Sequence, residues 1–182
     1  MELKLANPAP LGLLALGMTI FLIALHFAFG WPIGAMVWTM CILYAGLVAY
    51  IVGAFEFLTG NTFGTMAFFS AGTFFATFAF FHLFVKWGWA AMPAQGMLVL
   101  YFLLWGIAFL FMWIALLVGK KPIELQLFFI GVFVLFILIG IFFAAGNPMP
   151  LKLLIGYEGM ITGIIGMYVG LSHLIAGMKV KA

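Results

Sequence analysis

The stretch Asn7-Pro8-Ala9-Pro10-Leu11-Gly12-Leu13 marks where a polar start turns into an apolar helix. Asn7 is a helix-capping residue type, because its short side chain takes up an amide left free in a first turn. Pro8 and Pro10 fix φ and carry no amide hydrogen, which suits the entry and first turn of a helix but not its interior. Gly12 and Gly17 leave room for a second backbone. From Leu11 the chain stays apolar to Phe29. Crossing about 30 Å of hydrocarbon takes roughly 20 helical residues, and this run is longer than the apolar core of a typical secretory signal. It reads as a retained transmembrane helix.

Five more runs of the same kind follow, so the set is Leu11–Phe29, Ile33–Leu58, Thr62–Val85, Gly96–Gly119, Leu125–Ala145 and Leu151–Met178. All seven prolines fall at or between run ends, as required where every backbone group of a span must be satisfied within its own helix. Hydrophobic residues make up 68% of the 182 positions and charged ones 6%, a balance that excludes a soluble domain. The expected fold is all-α, six transmembrane helices in one domain over residues 1–182, with connections too short to hold a soluble unit. A single cysteine, Cys41, gives no disulfide framework. The chain has no Asp and only two serines, Ser70 and Ser172, so a Ser-His-Asp triad cannot be built. One Cys with three scattered His makes a poor zinc site. Nothing suggests nucleic-acid binding, an enzyme activity, a metal or a cofactor.

The bases are all lysines. If the N-terminus is cytoplasmic, Lys4, Lys120, Lys121, Lys179 and Lys181 lie inside and Lys86 and Lys152 outside. This excess places both termini in the cytoplasm. Trp31, Trp87 and Trp89 then stand near the outer helix ends, where an aromatic belt forms.

A second block supports a family reading: Glu56-Phe57-Leu58-Thr59-Gly60-Asn61-Thr62-Phe63-Gly64, followed by Ala67-Phe68 and Ser70. With Asn7–Leu13, it resembles the paired signatures of the acetate uptake transporter family, which includes the succinate–acetate permeases. The resemblance extends in weaker form to about Gly170. It implies a plasma-membrane (inner-membrane) homohexamer in the lipid bilayer, each protomer with its own path for acetate or a related short monocarboxylate or dicarboxylate such as succinate. Family permeases narrow that path with an aromatic on helix 1, the Tyr of a Ser-Tyr-Gly on helix 3 and an aliphatic on helix 5. By position these are Leu16, Ala71 and Val132. The helix 2 segment that usually reads Gly-Gly-x-x-Gln is Ala45-Gly46-Leu47-Val48-Ala49, so its glutamine is lost. Three changes at the narrowing all reduce side-chain volume. Either the path is wider here, or Phe69, Phe74 and Phe75 fill it.

Several residues have two readings. Asn7, Asn61 and Asn147 each precede a helix, and can be plain caps or polar mouths whose helix amides gather a carboxylate. Glu56 is an interfacial carboxylate reaching water, an anchor for the Gly60-Asn61-Thr62 break, or a proton site. Glu158 lies deeper and has no assigned role. Thr62, Thr65, Thr73 and Thr77 fall along one side of helix 3, with Ser70 beside them and Thr19 on helix 1. They form a hydroxyl lining for a narrow path, or they bond the preceding turn of their own helix. His26 matches the family's Leu-His, although Phe27 replaces the usual Asn. A further reading pairs His26 with His82 as haem ligands. Gly156, Gly159, Gly163, Gly166 and Gly170 share one face of helix 6, serving close packing or a backbone-lined pore wall.

The expected substrate path therefore comprises Asn7, Pro8, Thr19, His26, Glu56, Asn61, Thr62, Thr65, Ser70 and Thr73, with Leu16, Ala71 and Val132 at its narrowing. The competing functions are a channel for neutral solutes such as urea or amides, a haem-bearing membrane subunit, and a purely structural membrane protein.

Overall fold

The computed structural model describes residues 6–179. Lys4 and Lys181, two of the bases used to orient the chain, lie outside the described residues. Six long helices are present: α1 (Ala9–Phe29), α2 (Ala35–Leu58), α3 (Thr62–Lys86), α4 (Gln95–Val118), α5 (Ile123–Ala144) and α6 (Met149–Lys179). Among the described residues there is no strand. Helix ends fall within two residues of the apolar runs. The first and last helices begin earlier than their runs because Pro10 and Pro150 sit inside the first turn, where a missing amide costs nothing. Pro8 holds the cap position of α1, and Asn7 just before it accepts from the Ala9 amide through Oδ1 at 3.0 Å.

The helices are apolar on every side. Leu104, Phe111 and Ile161 are exposed on the outside of the bundle, which fits hydrocarbon around it rather than water. Adjacent helices run antiparallel through short turns, so both ends of the described chain lie at one end of the bundle. Trp31, Trp87 and Trp89 are exposed near the opposite end.

The most extensive packing joins α1 to α6, followed by α2 to α3 and α4 to α5. The α1–α6 seam depends on the glycine row. A Cβ added to Gly17 would stand 2.5 Å from the Met167 backbone nitrogen and 2.7 Å from the Gly163 carbonyl oxygen, so only glycine allows the two backbones this close. All five glycines of the row are buried, and each lies against α1, with Gly166 also meeting Phe128 of α5. None of them borders the internal cavity. The row is a packing seam, and the backbone-lined pore wall is not what it forms.

One local feature has no counterpart in the apolar pattern. Met40–Val48 of α2 is wound as a π-helix, a wider turn that sequence periodicity does not announce. It holds Ala45–Val48 of the Ala45–Ala49 segment and ends just before Ala49. Gly72 of α3 lies against it, so close that an added Cβ would meet the Gly46 carbonyl oxygen at 3.0 Å.

Candidate functional site

A cavity of about 490 Å³ lies inside the bundle. Its wall comes from α1, α3, α4, α5 and α6, with Ile33 from the connection before α2. The wall is mostly apolar, with phenylalanines and aliphatic side chains in similar numbers. Phe74 of α3 makes edge contacts with Phe136 of α5, ring centroids 4.6 Å apart, and with Phe102 of α4 at 6.3 Å. Offset and edge-on ring pairs of this kind hold one another in place.

The two ends of the cavity differ in chemistry. Toward the end that carries the termini it closes on Leu16, Ala71, Phe109, Phe128 and Val132, all buried. Toward the other end it reaches the exposed residues Asn147 and Met149. The wall's polar side chains, His26, His82, Asn147 and Lys152, all belong to this second end. By helical rise, Ala71 to His82 spans about 16 Å, so the cavity is a deep well with a polar rim and an apolar floor.

Leu16, Ala71 and Val132 are brought together as three parts of that floor. The volume question has a mixed answer: Phe74 and Phe75 line the well, whereas Phe69 lies outside it, partly exposed against Tyr50 of α2. Ala45 and Ala49 are fully buried but do not reach the well.

Of the expected path residues, only His26 borders the cavity. Its Nδ1 lies 2.7 Å from the Trp31 carbonyl oxygen. A carbonyl only accepts, so Nδ1 carries a proton and Nε2 is the nitrogen left for the cavity. His82 also borders the cavity, held among the rings of Trp38, Phe78 and Phe81. The two histidines have different neighbours, a backbone carbonyl for His26 and aromatic rings for His82.

The other expected residues lie elsewhere. Asn7 and Pro8 are at the α1 entry, away from the well. Glu56, Asn61 and Gly64 form a compact latch between α2 and α3. Asn61 Nδ2 donates to Glu56 Oε2 at 2.6 Å, its Oδ1 accepts from the Gly64 amide at 3.1 Å, and its own amide donates to the Glu56 carbonyl at 3.0 Å. Glu56 is 2% exposed, and the latch leaves room only for glycine at position 64 because the carboxylate sits against it. The second block of the signature is therefore a structural clasp. Its Thr62 opens α3 on the exposed surface.

The hydroxyls are used locally. Thr19, Thr65 and Thr73 donate to the carbonyls of Ala15, Asn61 and Phe69, each four residues back, at 2.8–2.9 Å. Thr77 donates to the Thr73 carbonyl at 2.7 Å. Two of them also link helices: Thr73 meets the Tyr50 hydroxyl, and Thr77 the Tyr101 hydroxyl, both at 2.8 Å. Neither these four nor Ser70 borders the cavity. The physical reason is that a hydroxyl inside a helix in an apolar setting finds its nearest acceptor one turn back.

In the sequence, Asn147 has two readings, helix cap or polar mouth, and Lys152 stands only as a charge that orients the chain. The available signal was weak but real: Lys152 lies in the first turn of α6, where the helix dipole disfavours a cation.

Comparisons with known proteins agree with this architecture. A model of the GPR1/FUN34/yaaH family matches residues 1–180. The succinate-acetate/proton symporter SatP of Escherichia coli K12 is 37% identical over 172 residues, covering 94% of this chain and 90% of that protein. Acetate permease A of Emericella nidulans is 39% identical over 83 residues, which is 42% of this chain and 26% of its own. The solved structure of the bacterial acetate channel SatP superposes with a TM-score of 0.90 at 37% identity, covering 94% of this chain and 93% of that one. The protein is a multi-pass membrane protein, its relatives are transporters and channels, and with almost its whole length matched the chain belongs to the GPR1/FUN34/yaaH family.

Proposed function

We propose that this protein passes acetate and related short-chain monocarboxylates or dicarboxylates across the membrane through the central well. The observation that carries the reading is the well itself, with a polar rim holding Lys152, His26 and Asn147 and a floor made of Leu16, Ala71 and Val132. Charge at the rim gathers the carboxylate. The apolar floor penalises a bare ion far more than a neutral acid, because an ion loses its hydration there. A proton taken up with the substrate lowers that barrier, and His26 Nε2 is the ring nitrogen placed to exchange one at the rim. The function is transport rather than catalysis.

The reading has both termini in the cytoplasm and the rim outside. Lys120, Lys121 and Lys179 against Lys86 and Lys152 support this orientation. It also has the protomer as one unit of a homohexamer, each unit with its own path.

The test is uptake of labelled acetate into proteoliposomes at two pH values, for the native protein and for Ala71→Tyr. Saturable uptake is expected, with a drop of tenfold or more on Ala71→Tyr, since a phenol ring at the floor takes space the substrate must cross. Acetate flux no higher than in empty liposomes, with urea passing freely, would replace this reading with a neutral-solute channel.

A further inference from the structure

The well is far larger than acetate requires. Its 490 Å³ falls in the range of roughly 300–1,000 Å³ seen for pockets that enclose drug-sized ligands. It is also sharply divided. All the polar side chains are at the rim, and everything from there to the floor is aliphatic or aromatic. A site of this shape matches a molecule with one charged head and an unbranched apolar tail.

The charge at the rim has one sign. No acidic residue occurs in the three connections at this end, residues 30–34, 87–94 and 145–148. Glu158, two turns into α6, accepts a hydrogen bond from Thr162 at 2.6 Å and does not border the well. Lys152 is half-buried and sits in the first turn of α6, near free amides and the positive end of the helix dipole. A cation held there is relieved by an anion. Asn147, five residues before Lys152, and His26 of α1 border the same end of the well.

Building on the transport reading above, we propose that the rim and well form a binding site for monocarboxylates with tails longer than acetate's. The head rests on Lys152 with Asn147 and His26 beside it. The tail lies along Phe102, Phe74 and Phe136. Such a ligand holds better as its tail lengthens, because each buried methylene contributes about fourfold in affinity. Its tail must also pass the floor at Leu16, Ala71 and Val132, so long-tailed acids occupy the path and slow acetate.

The experiment uses the full chain in proteoliposomes and measures inhibition of labelled acetate uptake by butyrate, hexanoate and octanoate, with hexanamide as the uncharged counterpart. Inhibition is expected to strengthen about fourfold per added methylene. Hexanamide should be about tenfold weaker than hexanoate, the worth of one charge-assisted hydrogen bond. Lys152→Gln should weaken octanoate by about tenfold, Lys152→Arg should retain it, and Lys86→Gln, at the same end but off the well, should change nothing. Thermal stabilisation of the purified protein by the same acids is a readout that does not need flux. A chain-length series in melting temperature without acetate uptake keeps this site and overturns the transport reading. Acetate uptake with inhibition independent of tail length, or unmoved by Lys152→Gln, overturns the site.

Discussion

The two ends of this bundle each hold a cluster of polar residues, and they use them in opposite ways. At the termini end, Glu56, Asn61 and the Gly64 amide bond one another, and the helix ends they belong to are closed. At the other end, His26, His82, Asn147 and Lys152 border an open well. The first cluster is dense and contiguous in sequence, which is why it reads as a signature. The second is spread over three separate stretches, at His26, at His82 and at Asn147 with Lys152. A conspicuous motif in a membrane protein is thus here a joint between helices, and the groups that face the cavity are the inconspicuous ones.

The contrast can be broken or sharpened by substitution. The largest expected effect is at the closed end. Asn61→Ala removes a helix cap, worth about 1 kcal/mol, and leaves a buried carboxylate without its donor, a further penalty of about 1–3 kcal/mol. The purified variant should melt markedly lower, while acetate KM in the surviving protein stays within twofold. A KM change with an unaltered melting temperature would make the latch part of the path.

Asn147→Gly is the matched test at the open end. Asn147 has φ of 63°, in the left-handed region that glycine adopts without strain. Removing its amide should leave the melting temperature unchanged or slightly higher, and raise KM for externally added acetate several-fold. Unchanged KM would leave the rim to Lys152 and His26 alone.

The smallest effect is expected between the two ends. Thr73→Val loses one hydroxyl that bonds the Phe69 carbonyl and Tyr50, a cost of about 1 kcal/mol. Flux should be unaffected, since the side chain does not border the well. A fall in flux out of proportion to the loss of stability would restore the hydroxyl lining that the sequence suggested.

How much of this was legible beforehand depends on the kind of feature. Helix positions were, because hydrocarbon imposes a length and an apolar run satisfies it. Leu16, Ala71 and Val132 are named together by family position, and all three line the cavity. The glycine row on α6 was readable as a face, though only the structure shows that α1 fills it. The hydroxyl stripe misled, because spacing tells which side of a helix a threonine occupies but not whether its proton is already used one turn back. The π-helical turn at Met40–Val48 left no periodic trace. Lys152 was counted only as an orientation charge, since nothing in its sequence surroundings places it on a cavity wall shared with His26 and His82.

The α1–α6 seam also has a consequence for how the protein is made. Of these six helices, the one made earliest has its most extensive partner in the one made latest, with four spans between them. Until α6 arrives, the face of α1 that carries Gly17 has only lipid against it, and the well lacks the wall formed by Met149, Lys152 and Ile155. Long-range closure of this kind comes late in assembly. A chain stopped after α5 is therefore an unfinished ring in the bilayer, a substrate for membrane quality control rather than a smaller working transporter.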